Sequence, residues 1–148
     1  DIDKESFKGI LGKGKIFDED VLLLKPLTFM NLSGESVSEV VRFFRIDIND
    51  VIIIFDDMSL TPGNIRLRAS GSSGGHKGMQ NIIDLLGTDK IKRIRIGIGE
   101  PTYNNIDYVL SKPSKEEQVL VDEAINKATE ALKTALKRNF ETAMSMYN

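Results

Sequence analysis

The octapeptide Gly71-Ser72-Ser73-Gly74-Gly75-His76-Lys77-Gly78 holds the only histidine of the chain, two serines and a lysine. Three chemistries use a loop of this kind between a strand and a helix. A Walker-type phosphate loop wraps phosphates in backbone N–H groups and follows its lysine with Ser or Thr for magnesium. Gly75-His76-Lys77-Gly78 lacks both the glycine before the lysine and the hydroxyl after it. A nucleophile elbow follows G-x-S-x-G, which Gly71-Ser72-Ser73-Gly74-Gly75 matches, so Ser73 is a candidate esterase nucleophile; that arrangement takes its base from a later histidine, and none follows His76. A backbone cradle for an anion or polar ligand asks only for glycines that permit close approach, here Gly74 and Gly75, and for the positive end of the next helix. Lys77 in the first turn opposes that helix dipole, which makes sense if it faces an anion. A loop that only turns a corner is the remaining alternative.

Other residues carry chemistry with an ordinary reading beside it. Asn31 is either a helix N-cap or a ligand-binding amide. Asp56 and Asp57 end an apolar run, where carboxylates start turns, but the carboxyl ends of strands are also where open α/β sheets put their sites. Arg66, Arg68, Arg93 and Arg95 recur at period two on two segments. They are either solvated strand faces or, if the strands are neighbours, one positive surface with no interspersed acid and with guanidinium forks suited to phosphate. Phe29 and Met30 read as core, or as the lining of a pocket beside Asn31.

The pattern around these residues predicts the elements that position them. Val21–Leu24 is a short apolar run ended by Lys25-Pro26, a buried strand and a turn. Val37, Val40, Val41 and Phe44 fall at helical spacing, and Ser36 with Glu39 forms a capping box, predicting a helix over 33–45. Val51–Asp57 is β-branched and apolar, a central strand buried on both faces. Ile65, Leu67 and Ala69 alternate with Arg66 and Arg68, a half-buried strand, and a helix follows over 77–86. Arg93–Gly99 is a second alternating strand. Ser114 with Glu117 caps a last long helix with an apolar stripe through Val121, Ile125, Ala128, Leu132 and Leu136, and Asn139 marks a break before a short helical piece. Alternation of strands and helices predicts an α/β fold: one domain over residues 1–148, with a mixed, largely parallel sheet flanked by helices.

Composition narrows the function. The 148 residues, 41% hydrophobic, suit one compact domain with a real core. Cysteine is absent, which removes disulfides and thiolate chemistry and fits a reducing compartment. One histidine and scattered carboxylates make a poor zinc set, so no metal is expected. No apolar run approaches a membrane span, no signal peptide is visible, and a cytoplasmic protein is expected. A net charge of −2 argues against nonspecific polyanion binding, so nucleic-acid contact requires a local basic patch.

Taken together, "KPLTFMNLSGESV", "IIIFDDMSLTPGNIRLR", "GSSGGHKGMQNII" and "RIRIGIGEP" closely resemble the bacterial peptidyl-tRNA hydrolase family in order and spacing, and the resemblance continues through "DYVLSKPSKEE" to the C-terminal helix. It implies hydrolysis of the ester that joins a peptide or another N-blocked aminoacyl group to the terminal ribose of tRNA, by a monomer without metal or organic cofactor, recycling tRNA from stalled translation. It further implies that Asn31 hydrogen-bonds substrate near the reacting water, that Phe29 is an aromatic of the substrate site, and that Asp56 holds a catalytic imidazole in its basic form. Arg68 and Arg95, with Arg66 beside them, match basic positions for the tRNA phosphate. His76 matches the histidine of the substrate-facing loop rather than the general base. Lys77 stands where many relatives carry a substrate-contacting Asn, and a binding role is expected for it. The family's catalytic histidine belongs to an N-terminal segment with G-L-G-N-P-G-like and T-R-H-N-like motifs, neither of which occurs in these residues. A protein starting at Asp1 is therefore expected to lack a strand and helix, to be destabilised and to be inactive. Rival readings are a noncatalytic RNA-binding relative and a serine esterase using Ser73.

Overall fold

The computed structural model describes residues 2–100 and 114–148, with side chains from residue 6 onward. The stretch from Pro101 to Pro113, which carries most of the "EPTYNNIDYVLSKP" segment, lies outside the described residues. The chain groups into two compact units, each discontinuous in sequence: one from Asp1–Ile52 and Ala69–Lys92, the other from Ile53–Arg68 and Arg93–Asn148.

The first unit begins with an antiparallel meander, β1 (Ile2–Ser6), β2 (Gly9–Ile16) and β3 (Glu19–Pro26). Ser6 pairs with Gly9 and Ile16 with Glu19, so both hairpins close through two residues. Phe7, Lys8, Phe17 and Asp18 all have positive φ, between 51° and 65°. Paired positive φ values in a two-residue loop match the right-handed twist of the strands, a requirement usually met by Asn-Gly or Asp-Gly. Here Phe7 stacks its ring 5.0 Å from Phe43 and 5.8 Å from Phe44, which offsets the strain of its backbone. The predicted buried strand at Val21–Leu24 is the middle of β3, and it is only partly buried, with Leu23 exposed.

A 3-10 turn at Met30–Leu32 leads into α1 (Ser33–Phe43), which packs on α2 (Lys77–Leu86) and on β3. The expected capping box is not formed. Ser36 lies inside α1, fully buried, and the helix starts at Ser33 without a side-chain cap. One orphan donor of the first turn is met from α2 instead: Gly34 N–H donates to Asn81 Oδ1 at 2.7 Å. A methyl group at Gly34 would stand 2.5 Å from the Asn81 carbonyl oxygen, and one at Gly78 would stand 2.9 Å from the Met30 carbonyl oxygen. Gly34 therefore sets the distance between α1 and α2, and Gly78 the distance between α2 and the 3-10 turn. Val37, Val40, Met79 and Ile82 fill the core of this unit with Leu11 and Ile91.

The second unit holds the sheet β4 (Ile52–Asp57), β6 (Lys92–Gly97) and β5 (Ile65–Arg68), in that spatial order, although Ile52 and Lys92 themselves fall in the first unit. β5 and β6 are antiparallel, like the pairs of the meander; none of these three pairings supplies the parallel share expected of the sheet. Among the described strands β6, not β4, is the central one of this sheet: Arg93 and Ile94 are both buried, whereas β4 stands at an end of the three with Ile54 exposed. An apolar run reads as the most buried strand only while the arginine of a neighbouring strand is assumed to face water. Ser114 accepts from Glu117 N–H at 3.1 Å and caps α3 (Lys115–Lys137), as expected. Asn139 caps α4 (Phe140–Tyr147) through Thr142 N–H. The face that α3 buries is Ala124, Ala128 and Ala131 rather than one centred on Ile125, which is exposed. Small side chains let α3 approach α4 closely, and both helices pack on β5. The Asn148 amide closes the other edge of β5, accepting from Leu67 N–H and donating to Leu67 O.

The close approach of α1 and α2 predicts that Gly34→Ala costs about 1–3 kcal/mol of stability, because backbone must move to admit the methyl group. Gly14→Ala in β2, with nothing within 4 Å of the new methyl group, should be neutral or mildly stabilising. Urea denaturation of the two variants measures the difference.

Candidate substrate-binding site

In the first unit, two of the segments singled out by chemistry come together. Phe29, Met30 and Asn31 are exposed on and before the 3-10 turn, and Phe29 is 81% exposed. Neither aromatic nor thioether is core. Asn31 does not cap α1, whose N-cap position is Leu32, and its amide has no hydrogen-bond partner among the described residues. Met30 lies against Gly78 at the start of α2, which fastens this turn to the end of the glycine-rich loop. Ser33 Oγ donates to Met30 O at 2.8 Å and tightens the same turn.

The loop itself is held by its own groups. Gly71, Gly74 and Gly75 take positive φ, and a side chain at Gly74 or Gly75 would meet no other atom within 4 Å. Backbone conformation therefore demands these glycines, and both stay exposed. Ser73 Oγ accepts from Gly75 N–H at 3.3 Å, and Ser73 O accepts from His76 N–H at 3.1 Å. His76 Nδ1 accepts from Met79 N–H at 3.0 Å, making the imidazole the N-cap of α2. A neutral imidazole has one nitrogen lone pair to offer. With that lone pair on Met79, His76 serves neither Ser73 nor a water as base unless it gives up the cap. Lys77 follows at the first position of α2, exposed and with no ion pair among the described residues.

In the second unit, Arg66 pairs across the strands with Arg95 and Arg68 with Arg93. Residues directly opposite in an antiparallel pair share a face, so all four arginines lie on one side of β5 and β6. They differ in depth. Arg66 and Arg68 are exposed, Arg95 is partly buried and Arg93 is 2% exposed. One acid does join this face, contrary to the sequence reading: Asp57 Oδ2 accepts from Arg95 Nε at 2.7 Å. Alternation along β4 sends Asp56 to the opposite face, where its carboxylate is exposed with no partner among the described residues.

Asp57 also accepts, through Oδ1, from Ser59 N–H at 2.8 Å and Ser59 Oγ at 2.6 Å. Burial would raise its carboxyl, but the Ser59 hydroxyl, the Arg95 guanidinium, the Ser59 N–H and the Arg95 charge together outweigh burial and hold it below the usual aspartate range. Sequence reasoning set Asp57 beside Asp56 at the strand end and gave it no partner. The signal was the Asp-x-Ser spacing of an Asx turn next to a strand carrying arginine at period two. Among the described residues, no group of three or more His, Asp and Glu is placed to hold a metal ion. None of their helices is long and apolar enough to cross a membrane.

The peptidyl-tRNA hydrolase family model matches residues 1–148. The chain belongs to the peptidyl-tRNA hydrolase family. A peptidyl-tRNA hydrolase of Clostridium botulinum (strain Alaska E43 / Type E3) is 46% identical over 148 residues, covering all of this chain and 78% of the relative. One of Clostridium acetobutylicum is 45% identical over 147 residues, covering 99% of this chain and 79% of the relative. The crystal structure of the peptidyl-tRNA hydrolase from Acinetobacter baumannii superposes with a TM-score of 0.88 at 38% identity, covering 98% of this chain and 76% of that one. The α/β fold expected from the sequence is thus that of the peptidyl-tRNA hydrolase family.

The Asp57 geometry fixes a pH dependence. A carboxyl whose value is lowered by folding stabilises the fold fully above its unfolded value, near about 4, and loses that contribution as pH falls through its folded value. Arg95→Gln should cost about 1–3 kcal/mol near neutrality, the size of a charged hydrogen bond. The gap from wild type should close in acid, which chemical denaturation from about pH 7 down to about pH 2 reads directly.

Proposed function

We propose that this protein hydrolyses the ester bond between a peptide, or another N-blocked aminoacyl group, and the terminal ribose of tRNA. The observation that carries this reading is the family match over the whole of residues 1–148. Local geometry supports it. Asn31 and Phe29 are presented outward on a turn that is fastened to the glycine-rich loop, a placement that serves a ligand and not the core.

In this reading Asn31 donates its amide hydrogens to substrate or to the attacking water, and Phe29 gives an apolar surface for the group bound there. Gly74, Gly75, His76 and Lys77 form the cradle, with Lys77 and the N-terminus of α2 facing negative charge. Asp56 orients the imidazole that takes the proton from water, since a carboxylate fixes the tautomer and stabilises the imidazolium that forms. His76 is not that base, because its lone pair caps α2. Arg66, Arg68 and Arg95 hold the phosphate backbone of the acceptor arm through guanidinium forks. The protein acts in this proposal as a cytoplasmic monomer that recycles tRNA during translation, over a single domain and with no metal or cofactor. The relatives named above all carry an enzyme's name, and no observation favours a noncatalytic RNA-binding role.

Turnover of N-acetylaminoacyl-tRNA tests the assignment. Asp56→Asn should lower kcat by orders of magnitude with little loss of tRNA affinity, and undiminished activity would sink the role of Asp56. His76→Asn, which keeps a capping side chain, should act mainly on KM; a collapse of kcat comparable with that of Asp56→Asn would make His76 the base after all.

A further inference from the structure

We propose that Asp57 and Ser59 are positioning residues that hold the Arg95 guanidinium in one orientation, with its outer edge ready for a tRNA phosphate. The inference rests on the assignment of Arg95 to the tRNA-binding face. Arginine side chains are long, and fixing one against a phosphate costs rotamer entropy unless the fold has already ordered it. Here the ordering is built in. Asp57 Oδ2 accepts from Arg95 Nε at 2.7 Å, and Ser59 Oγ accepts from Arg95 Nη2 at 3.4 Å. The carboxylate is held in turn, because its Oδ1 accepts both the N–H and the hydroxyl of Ser59 in the turn after β4.

These contacts occupy the Nε side of the guanidinium. Nη1 has no acceptor among the described residues, so the end-on edge formed by Nη1 and Nη2 faces outward from the clamp. That edge presents two parallel N–H groups, the fork that matches two phosphate oxygens. Arg95 keeps 22% of its side chain exposed, and Arg66 lies directly opposite on β5 with its side chain on the same face. A second cation is therefore in reach of the same anion.

The competing view makes Asp57 a neutraliser of Arg95 and nothing more, and the two views differ in sign. Removing a negative charge from a basic face by charge alone should tighten RNA binding, whereas releasing Arg95 from its clamp should weaken it. The experiment is a titration of unacylated tRNA against the intact protein over a series of salt concentrations, with thermal melts to confirm folding, and turnover of N-acetylaminoacyl-tRNA alongside. Arg95→Gln should weaken binding and lower the slope of log affinity against log salt by about one phosphate contact. Asp57→Asn should weaken binding severalfold and lower the slope in the same direction, raise KM with kcat retained, and add nothing in the Arg95→Gln background. Ser59→Ala, which leaves every charge in place, should show a smaller loss of the same sign, restored by Ser59→Thr; it decides the matter if Asp57→Asn does not fold. Unchanged or tighter binding by Asp57→Asn with a loss in Arg95→Gln overturns the positioning role alone. No change in Arg95→Gln overturns both that role and the assignment of Arg95 to the tRNA face.

Discussion

The contact on which the first unit depends is that of α2 with α1 and with the 3-10 turn before it, where one glycine on each side of the contact lets backbone meet backbone. Gly34 N–H reaches Asn81 Oδ1 at 2.7 Å, and Gly78 leaves space for Met30. Tight helix packing is ordinarily judged by the apolar area it buries, and Val37, Val40, Met79 and Ile82 supply that here. What the glycines add is registration. Because the Met30 carbonyl and the His76 ring both crowd Gly78, the turn bearing Asn31 cannot shift relative to the glycine-rich loop without opening the helix pair. A polar bond from a helix N-terminus to a side chain on another helix also replaces a local cap, so the start of α1 is stable only when α2 is in place.

The second unit solves a different problem, that of several positive charges on one small sheet. Four arginines on one face of β5 and β6 repel one another, and the fold answers by depth. Arg93 goes into the interior of the central strand, Arg95 is met by Asp57, and Arg66 and Arg68 are left to water. Among the described residues Arg66 and Arg68 meet no acid at the surface, with the outer edge of Arg95 beside them. A basic patch counted from sequence therefore overstates the charge a ligand would meet, and the depth of each arginine has to be read from the sheet order.

Sequence legibility followed the strength of local signals. The helix over 77–86, the Ser114 cap and the break at Asn139 are all found where the pattern put them, because caps and helical spacing act over a few residues. The two hairpins before β3 left no such mark. Their turns are Phe7-Lys8 and Phe17-Asp18 where a reader looks for Asn-Gly, and the preference that keeps L-residues out of the left-handed region, roughly 1–2 kcal/mol each, is overcome by strand pairing and by the Phe7 ring packing. The same holds for Ser36. With Glu39 it spells a capping box, but the helix had already begun three residues earlier because a bond from Asn81, distant in sequence, supported it. The relation between Asp57 and Arg95 spans 38 residues, and only the pairing of strands brings it about.

Polar groups that look chemical in the sequence differ in whether the local fold uses them. His76, Ser73 and Asp57 all look chemical in the sequence, yet each has a hydrogen bond that the local fold uses. Asn31, Asp56 and Lys77 have none among the described residues. For Asn31 and Asp56 that is cheap, since water satisfies an exposed amide or carboxylate. For Lys77 it is not, because a cation in the first turn works against the positive end of its own helix by about 0.3–1 kcal/mol. An exposed first-turn position accepts almost any residue, so sterics do not demand this lysine. An anion placed between Lys77 and the N–H groups of α2 turns the same arrangement from a cost into a joint attraction, and of the loop's residues Lys77 is the one whose placement makes better sense with a ligand than without one.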